Sequence, residues 1–188
     1  MPRVPVPVLA ALATSGLLLA GPPAAGAANT TIVINKSLGG VPFYAPASAV
    51  RARFGKPASV FKRQVPASGT LGAIRYETWS YPKSKLTVTL FAVTPSTALK
   101  VQSFETASRT FRTKNGLRVG TSAVQAQAKL TGEVCKPAGA PDTVCRIDGG
   151  RTGPTKSREY TTLVTIAKGA VSRIFMSHLP SWNQPPPS

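Results

Sequence analysis

The sequence predicts an α+β fold of two tandem repeats, each a short helix followed by an antiparallel sheet, with the helices on one sheet face. The main observation is a match between residues 41–54 and residues 117–130 at a constant offset of 76 positions. Identical or similar residues recur at that offset, namely Ala47 and Ala123, Ala52 and Ala128, Arg53 and Lys129, and Phe54 and Leu130. Residues 88–90 match residues 164–166 at the same offset. A period this long indicates a duplicated supersecondary unit and not a solenoid of short repeats.

Each repeat begins with a predicted helix. Pro46 stands at the first helical position of one copy, and Thr121 or Ser122 caps the other. Apolar residues spaced i, i+3 and i+7 give each helix one buried stripe, formed by Ala47, Val50 and Phe54 and by Ala123, Ala126 and Leu130. Gly55 and Gly132 are expected to end the two helices, and Pro57 follows the first of them.

Beyond each helix the periodicity changes to two, which predicts strands. In the first repeat, residues 74–79 and 86–91 form a hairpin around Pro82-Lys83-Ser84, and Leu99 to Phe104 forms a third strand. The second repeat has corresponding strands at residues 143–147, 160–166 and 170–176, with a turn at Lys168-Gly169. Each unit is therefore predicted to be a helix followed by an antiparallel meander.

The first 27 residues have the features of a secretory signal peptide. Arg3 precedes an apolar run from Val4 to Ala20, and Ala25-Gly26-Ala27 fits a cleavage site. The alternative is a membrane anchor, but a spanning helix needs about 20 uninterrupted apolar residues and this run contains prolines. We therefore expect a signal peptide at residues 1–27, repeats at residues 28–105 and 106–179, and a disordered proline-rich tail at residues 180–188. The mature form is expected outside the cytoplasm, in a periplasm or the medium, with no transmembrane span.

The mature chain is strongly basic. Residues 28–188 contain 22 lysines and arginines against six acidic residues, a net charge of +16 that the two halves share equally. No basic run is longer than two residues, so the sequence lacks the concentrated stripe typical of specific nucleic-acid binding. A dispersed positive charge is consistent with attraction to anionic wall polymers or lipid headgroups, and equally with a basic secreted protein that has no polyanion partner.

Cys135 and Cys145 are the two cysteines of the chain. In an exported protein an isolated pair at this spacing is most often a disulfide, so we predict a structural cross-link. The spacing does not match a redox motif. The single histidine is distant in sequence from both cysteines, which argues against a metal site formed by the three residues.

Two segments resemble the tandem repeat of secreted β-lactamase-inhibitor-protein-like domains and, more distantly, the small outer-membrane-assembly lipoproteins of the same superfamily. Residues 41–57 are similar to the short family helix that ends in Leu-Gly-Lys-Pro, and residues 111–120 are similar to the entry into its second repeat. The family usually has glycine where Tyr44 stands. The resemblance implies helices packed on one face of an antiparallel sheet, with the opposite face available to a protein partner. It does not imply that the partner is a β-lactamase.

The sequence shows no set of residues that indicates catalysis, so we expect a protein that is not an enzyme and has no cofactor. His178 follows the predicted strands and is expected to be a surface or chain-end residue. Glu77 and Glu159 lie on predicted strands at similar places in the two units, where pairing with nearby cations is more probable than a hydrolase role. No metal-binding cluster is apparent.

The strands of the first repeat suggest a binding face on the side opposite the leucine and valine stripe. We assign to that side Arg75, Trp79, Tyr81, Thr87, Thr89, Phe91, Lys100, Gln102 and Phe104. Aromatic residues interleaved with cations are typical of protein interfaces. The alternative is internal packing, with Trp79 and Phe91 against the second unit or against a loop that we expect at residues 57–72.

Two hypotheses for function follow from these observations. The first is a secreted, non-catalytic protein-binding module, including the case of an inhibitor, whose extracellular or envelope target the sequence does not name. The second is a basic envelope-associated protein that binds anionic wall or membrane polymers.

Overall fold

Strands make up most of the computed structural model, which describes residues 29–68, 72–94, 96–130, 134–137, 142–152 and 157–178. In chain order the elements are β1 (Thr31–Val33), β2 (Ser37–Leu38), β3 (Val41–Pro42), α1 (Ala47–Phe54), β4 (Ser59–Val65), β5 (Ile74–Tyr81), β6 (Leu86–Val93), β7 (Lys100–Thr106), β8 (Arg112–Thr113), α2 (Ala123–Lys129), β9 (Val134–Pro137), β10 (Thr143–Thr152), β11 (Ser157–Ala167) and β12 (Ala170–His178). One turn of 3₁₀ helix at Pro82–Ser84 connects β5 to β6. The mixed α+β class is confirmed, with sheet predominating.

An eight-stranded antiparallel sheet forms the body of the molecule, in the order β4-β5-β6-β7-β12-β11-β10-β9. Each half is a meander of four strands, and β7 and β12 pair at the centre. In that central pair Phe104 lies opposite Met176, and Thr106 lies opposite Ile174. The order of elements in residues 47–106, one helix and four antiparallel strands, occurs again in residues 123–178.

A small sheet and the two helices lie on one side of the large sheet. The small sheet has the order β3-β2-β1-β8, and its β1–β8 pair is parallel. Both helices place a fully buried residue in the same apolar core, Val50 from α1 and Ala126 from α2. Leu38 and Leu117 add side chains from the small-sheet region. The core is therefore a single layer. The large sheet covers one side of it, and the two helices and the small sheet together cover the other.

The chain makes the same backbone hydrogen bonds before each helix. The Tyr44 amide donates to the Val101 carbonyl over 2.9 Å, and the Gly120 amide donates to the Val171 carbonyl over 2.8 Å. Three further pairs of bonds correspond in the same way. The Val101 amide donates to the Ala45 carbonyl, as the Val171 amide donates to the Thr121 carbonyl. The other two pairs, each written from amide to carbonyl, are Ala47 to Leu99 with Ala123 to Gly169, and Ala45 to Pro42 with Thr121 to Arg118. Each pre-helix segment is thereby joined to the last strand of its own meander.

Tyr44 and Gly120 also share an unusual backbone conformation. Tyr44 has φ of +62° and Gly120 has φ of +90°, in the left-handed region that favours glycine. Tyr44 thus adopts, without being glycine, a backbone conformation that glycine takes most readily. Its ring packs against Phe91 and His178, and these contacts offset the cost of a left-handed tyrosine.

The helix limits follow the predicted signals. Pro46, predicted at the first helical position, is the residue just before α1, and Gly55, with φ of +81°, ends that helix as predicted. The Ser122 hydroxyl accepts the Gln125 amide and caps α2, as expected of serine at this position. The predicted apolar stripes face the core on both helices. Gly132, predicted to end the second helix, lies outside the described residues.

Strands at both edges of the large sheet are absent from the sequence prediction. Residues 59–65 were assigned to a loop, but they form β4, in which every side chain is exposed. An edge strand with both faces in solvent has no period-two alternation, so the pattern that identified the inner strands does not occur there. The short β9 and the small sheet were missed because two to four residues give no measurable period. The predicted inner strands and both hairpin turns are confirmed.

The predicted disulfide between Cys135 and Cys145 is confirmed. The two residues lie directly opposite each other on β9 and β10, so the cross-link attaches the edge strand to its neighbour. A disulfide is consistent with a protein outside the cytoplasm. Neither helix in the described part of the chain is long and apolar enough to cross a membrane. The predicted signal peptide and proline-rich tail lie outside the described residues.

Replacement of both Cys135 and Cys145 by alanine is expected to lower the free energy of unfolding by about 2–3 kcal/mol. The reason is that the cross-link restricts the unfolded chain. Alanine is chosen over serine because it adds no buried hydroxyl group. Urea unfolding measures the change. As a control, the unaltered protein treated with a reducing agent should shift in the same direction. A midpoint that moves under neither treatment contradicts a stabilising cross-link.

Candidate binding surface on the open sheet face

The two faces of the large sheet have different chemistry. Side chains on one face form a row of directly paired residues that begins Trp79, Val88, Phe104 and Met176, and all four are fully buried. This is the face that the helices and the small sheet cover, and we call it the closed face. The opposite face, here called the open face, has a parallel row that includes Phe61, Thr78, Thr89, Ser103 and Ser177. No described element contributes a core residue on that side.

The structure contradicts the predicted exposure of the four aromatic residues Trp79, Tyr81, Phe91 and Phe104, each at most 5% exposed. For Trp79 and Tyr81 the error lies in the register of the β5–β6 hairpin. Phe91 lies opposite Tyr76 in a row of the open face, as predicted, but its side chain is buried. Trp79 lies opposite Val88, and Tyr81 lies opposite Leu86, so both aromatics share the face of the aliphatic stripe. The alternative of internal packing is therefore the correct one for these side chains. Thr87 and Thr89 do lie on the open face, in the rows of Ser80 and Thr78.

Trp79 connects the sheet to α1. Its indole Nε1 donates to Glu77 Oε2 over 3.0 Å, and the Arg51 guanidinium of α1 lies 4.7 Å from its ring centroid. Lys62 Nζ approaches Glu77 Oε1 at 4.0 Å. Glu77 therefore pairs with a cation as expected, although it is buried on the closed face and not directed outward. These contacts give Glu77 a structural role. The side chain of Glu159 lies outside the described part.

Tyr81 is also part of the core side of β5. Its hydroxyl donates to the Gly55 carbonyl over 3.3 Å, and its ring packs against Phe54. Burial raises the pKa of the Tyr81 phenol, and the positive charge of Arg51 opposes part of that increase. The residue therefore fixes the end of α1 and is not available to a partner.

Arg75 and Lys100 complete the predicted set. Arg75 is half-buried at the edge of the closed face, where its Nη2 donates to the Thr97 carbonyl over 2.9 Å. Lys100 is exposed at the start of β7. Phe91 is buried against Tyr44, with ring centroids 5.9 Å apart. The structure thus does not bring the predicted binding residues together on one free surface.

The open face has a depression of about 440 Å³ near its β4 edge. Six residues line it, Phe61, Arg63, Tyr76, Thr78, Thr89 and Gln102. Phe61 is 69% exposed, and among the described large hydrophobic side chains only Val124, at 78% on α2, is more exposed. The Arg63 guanidinium lies 5.1 Å from the Tyr76 ring centroid, which is cation–π distance. An exposed aromatic, a stacked arginine and neighbouring hydroxyl and amide groups form a compact surface of interface chemistry.

This depression was only partly predictable. Thr89 and Gln102 were assigned to the binding face, and both line the depression. Phe61 and Arg63 were missed because β4 was taken as a loop. The Phe61-Lys62-Arg63-Gln64 stretch, with a large apolar residue among polar ones, is the one signal that points to an exposed anchor.

Two arginines elsewhere on the open face are paired with carboxylates. Arg173 Nη1 lies 3.3 Å from Glu105 Oε1, and Arg146 Nε lies 2.8 Å from Asp148 Oδ1. Exposed pairs of this kind contribute little to stability, at about 0–1 kcal/mol. Arg63 has no carboxylate partner among the described residues. Arg63 therefore offers a positive charge at the depression that no described carboxylate neutralises.

His178 is buried, so the prediction of a surface histidine is wrong. The Tyr44 hydroxyl lies 2.6 Å from its Nδ1, and the rings of Tyr44 and Tyr160 contact it edge-on at 4.4 and 4.6 Å. The histidine thus joins the pre-helix segment to β11 and β12 inside the molecule. Among the described residues no group of three or more potential ligands is arranged to bind a metal ion.

Comparison with known proteins gives limited similarity. No protein-family model matches the chain. A search of curated proteins also found no match. Two solved structures are similar. The uncharacterized protein yfeY from Escherichia coli shows 13% identity and a TM-score of 0.45, over 78% of this chain and 99% of that one. An extracellular protein containing an SCP domain from Bacillus anthracis str. Ames shows 11% identity and a TM-score of 0.40, over 72% of this chain and 44% of that one. Similarity at this level transfers no function to this chain.

Substitution of Trp79 by alanine is expected to lower the free energy of unfolding by about 3–5 kcal/mol. The change opens a cavity in the closed-face row and leaves the Glu77 carboxylate without its indole donor. The matched control is Phe61→Ala on the open face, which should change stability by no more than about 0.5 kcal/mol. Urea unfolding of the two variants measures both values. Similar losses in the two variants contradict the assignment of the faces.

Proposed function

We propose that this chain is an exported, non-catalytic protein-binding module that holds its partner on the open face of the large sheet. The observation that supports the proposal is the depression on that face, where the exposed Phe61 adjoins the Arg63–Tyr76 pair. Aromatic and arginine side chains dominate the binding energy of protein interfaces when a partner desolvates them. Inhibition of an enzyme is one form that such binding takes.

The proposal includes an internal duplication. The Tyr44–Val101 hydrogen bond corresponds to the Gly120–Val171 hydrogen bond. The donors, which precede the helices, are 76 positions apart, and the acceptors, on the last strand of each meander, are 70 positions apart. Two further contacts correspond, because Arg53 bonds to the Gly39 carbonyl and Lys129 bonds to the Asn115 carbonyl. The same offset of 70 relates β7 to β12 at the central pair: Phe104 corresponds to Ile174, and Thr106 corresponds to Met176. The pair Phe104–Met176 is therefore equivalent to the pair Ile174–Thr106. This symmetry supports two copies of one unit related by a local two-fold axis.

The resemblance to secreted β-lactamase-inhibitor-protein-like domains is part of the same proposal. It rests on residues 41–57 and 111–120, on helices confined to one sheet face, and on the left-handed Tyr44 in place of the usual glycine. Export is supported by the features of residues 1–27 and by the disulfide. A non-catalytic function is proposed because Glu77 and His178 have structural partners.

The test uses the mature protein, residues 28–188, immobilised and exposed to culture supernatant and to washed envelope of its source organism. We expect a discrete protein that stays bound at moderate salt. Phe61→Ala and Arg63→Ala should each weaken that binding by about 1–2 kcal/mol, or roughly five- to thirtyfold. Surface plasmon resonance with the recovered partner measures the affinities.

Val60→Ala is the matched control for this test. Val60 lies on the same edge strand and is 41% exposed, but it lies opposite Trp79 and therefore points to the closed side. Its replacement should leave the affinity unchanged. Equal binding by all three variants, or retention that moderate salt abolishes, contradicts the open-face proposal.

A further inference from the structure

Five cations gather around one hairpin on the side of the molecule opposite the open face. Residues 107–130 contain five basic residues and no acidic one, and four of the five fall within residues 109–118. They are Arg109, Arg112, Lys114, Arg118 and Lys129. The structure brings them together because residues 112–118 turn back on themselves and α2 packs beside that turn. We call these five residues the basic cluster.

The closest approach in the basic cluster is between two arginines. Arg112 and Arg118 form an antiparallel bridge, which places both side chains on the same side about 5 Å apart at their Cβ atoms. Both side chains are exposed. Like charges directly opposite each other destabilise a strand pair. The arrangement therefore has an electrostatic cost that a bound anion would remove.

The remaining three cations surround this pair. Lys129 Nζ donates to the Asn115 carbonyl at the tip of the turn. The Arg109 guanidinium lies against Gly120, so close that a side chain there would have its Cβ 3.1 Å from Arg109 Nε. Lys114 is exposed within the turn itself. Together they extend the positive surface along the hairpin on both sides of the arginine pair.

No carboxylate compensates the basic cluster within the described part of the chain. The ion pairs found there involve Lys62 with Glu77, Arg146 with Asp148, and Arg173 with Glu105, all on the large sheet. The net charge of +16 is therefore locally concentrated here, although the two halves of the sequence share it equally. This concentration is the feature that sequence analysis missed.

An open groove of about 1140 Å³ adjoins the basic cluster. One wall is the backbone and side chains of residues 31–34, and the other is residues 112–116, including Arg112 and Lys114. The groove runs along the paired strands β1 and β8 and past their ends, and Ile32, Val33 and Ile34 make one part of its lining apolar. It gives an elongated ligand a path past two of the five cations.

We propose that the basic cluster and this groove form a binding site for a linear polymer that bears phosphate groups outside the cell. Arginine guanidinium groups bind phosphate through paired N–H donors, and two adjacent guanidiniums match one such group. A single anion could neutralise only the central pair, whereas repeated phosphates along a chain also match the flanking cations. The site lies on the helix side of the large sheet, so it is independent of the open face.

The experiment measures binding of the mature protein to linear polyphosphate by calorimetry, from about 50 to 300 mM NaCl. The variant Arg112→Gln/Arg118→Gln should lose at least about tenfold in affinity and reduce the slope of log K against log salt by roughly 1.4. Lys56→Gln/Lys83→Gln is the matched control, because it removes the same charge from exposed positions elsewhere. The control should lose much less affinity. Thermal unfolding verifies that both variants are folded.

Three results would overturn the proposal. Equal losses in the two variants mean that the whole charge of the protein attracts the polymer, with no specific site. Binding to phosphatidylglycerol vesicles without binding to polyphosphate assigns the cluster to a membrane surface and not to a polymer. Failure of the unaltered protein to bind polyphosphate at low salt overturns the proposal as well. None of these outcomes bears on the open-face interaction, which Phe61→Ala tests separately.

Discussion

The pairing of β7 with β12 is the contact on which the rest of the structure depends. It joins two four-stranded meanders into one sheet and aligns the closed-face row from Trp79 through Phe104 to Met176. Without this pair each half would have a separate, small core under a single short helix, and small cores provide little stability. With it, both helices and the small sheet pack on a shared core and leave one broad face free of core residues.

Sequence patterns predicted the elements better than their relative placement. The helices were predictable because Val50 and Ala126 lie on short apolar stripes with clear signals at each end. The inner strands were predictable from their alternation. Which sheet face Trp79 lies on depends on the register of the β5–β6 hairpin, and the 3₁₀ turn at Pro82–Ser84 determines that register. The period-two alternation of a strand does not reveal its register with the next strand. The part of the depression that β4 forms escaped prediction, because an edge strand such as β4 has no buried side.

The basic cluster shows a different limit of sequence analysis. Charge counted along the chain is even, but the fold turns residues 112–118 back and places Arg112 against Arg118. Local concentration of charge is a property of the tertiary structure. The two proposed surfaces have different chemistry and lie on opposite sides of the large sheet. A protein with both can remain attached to an envelope polymer while it presents the open face to another protein.

The measurement that most directly tests this architecture is native-state hydrogen exchange of the mature protein, followed by mass spectrometry. If the β7–β12 pair unites the halves, the slowest amides of β5 and β6 should open with the same free energy as those of β10 and β11. A substitution at the centre, Phe104→Ala, should lower both values together. Retention of protection in one half after the other has opened would contradict a single cooperative sheet.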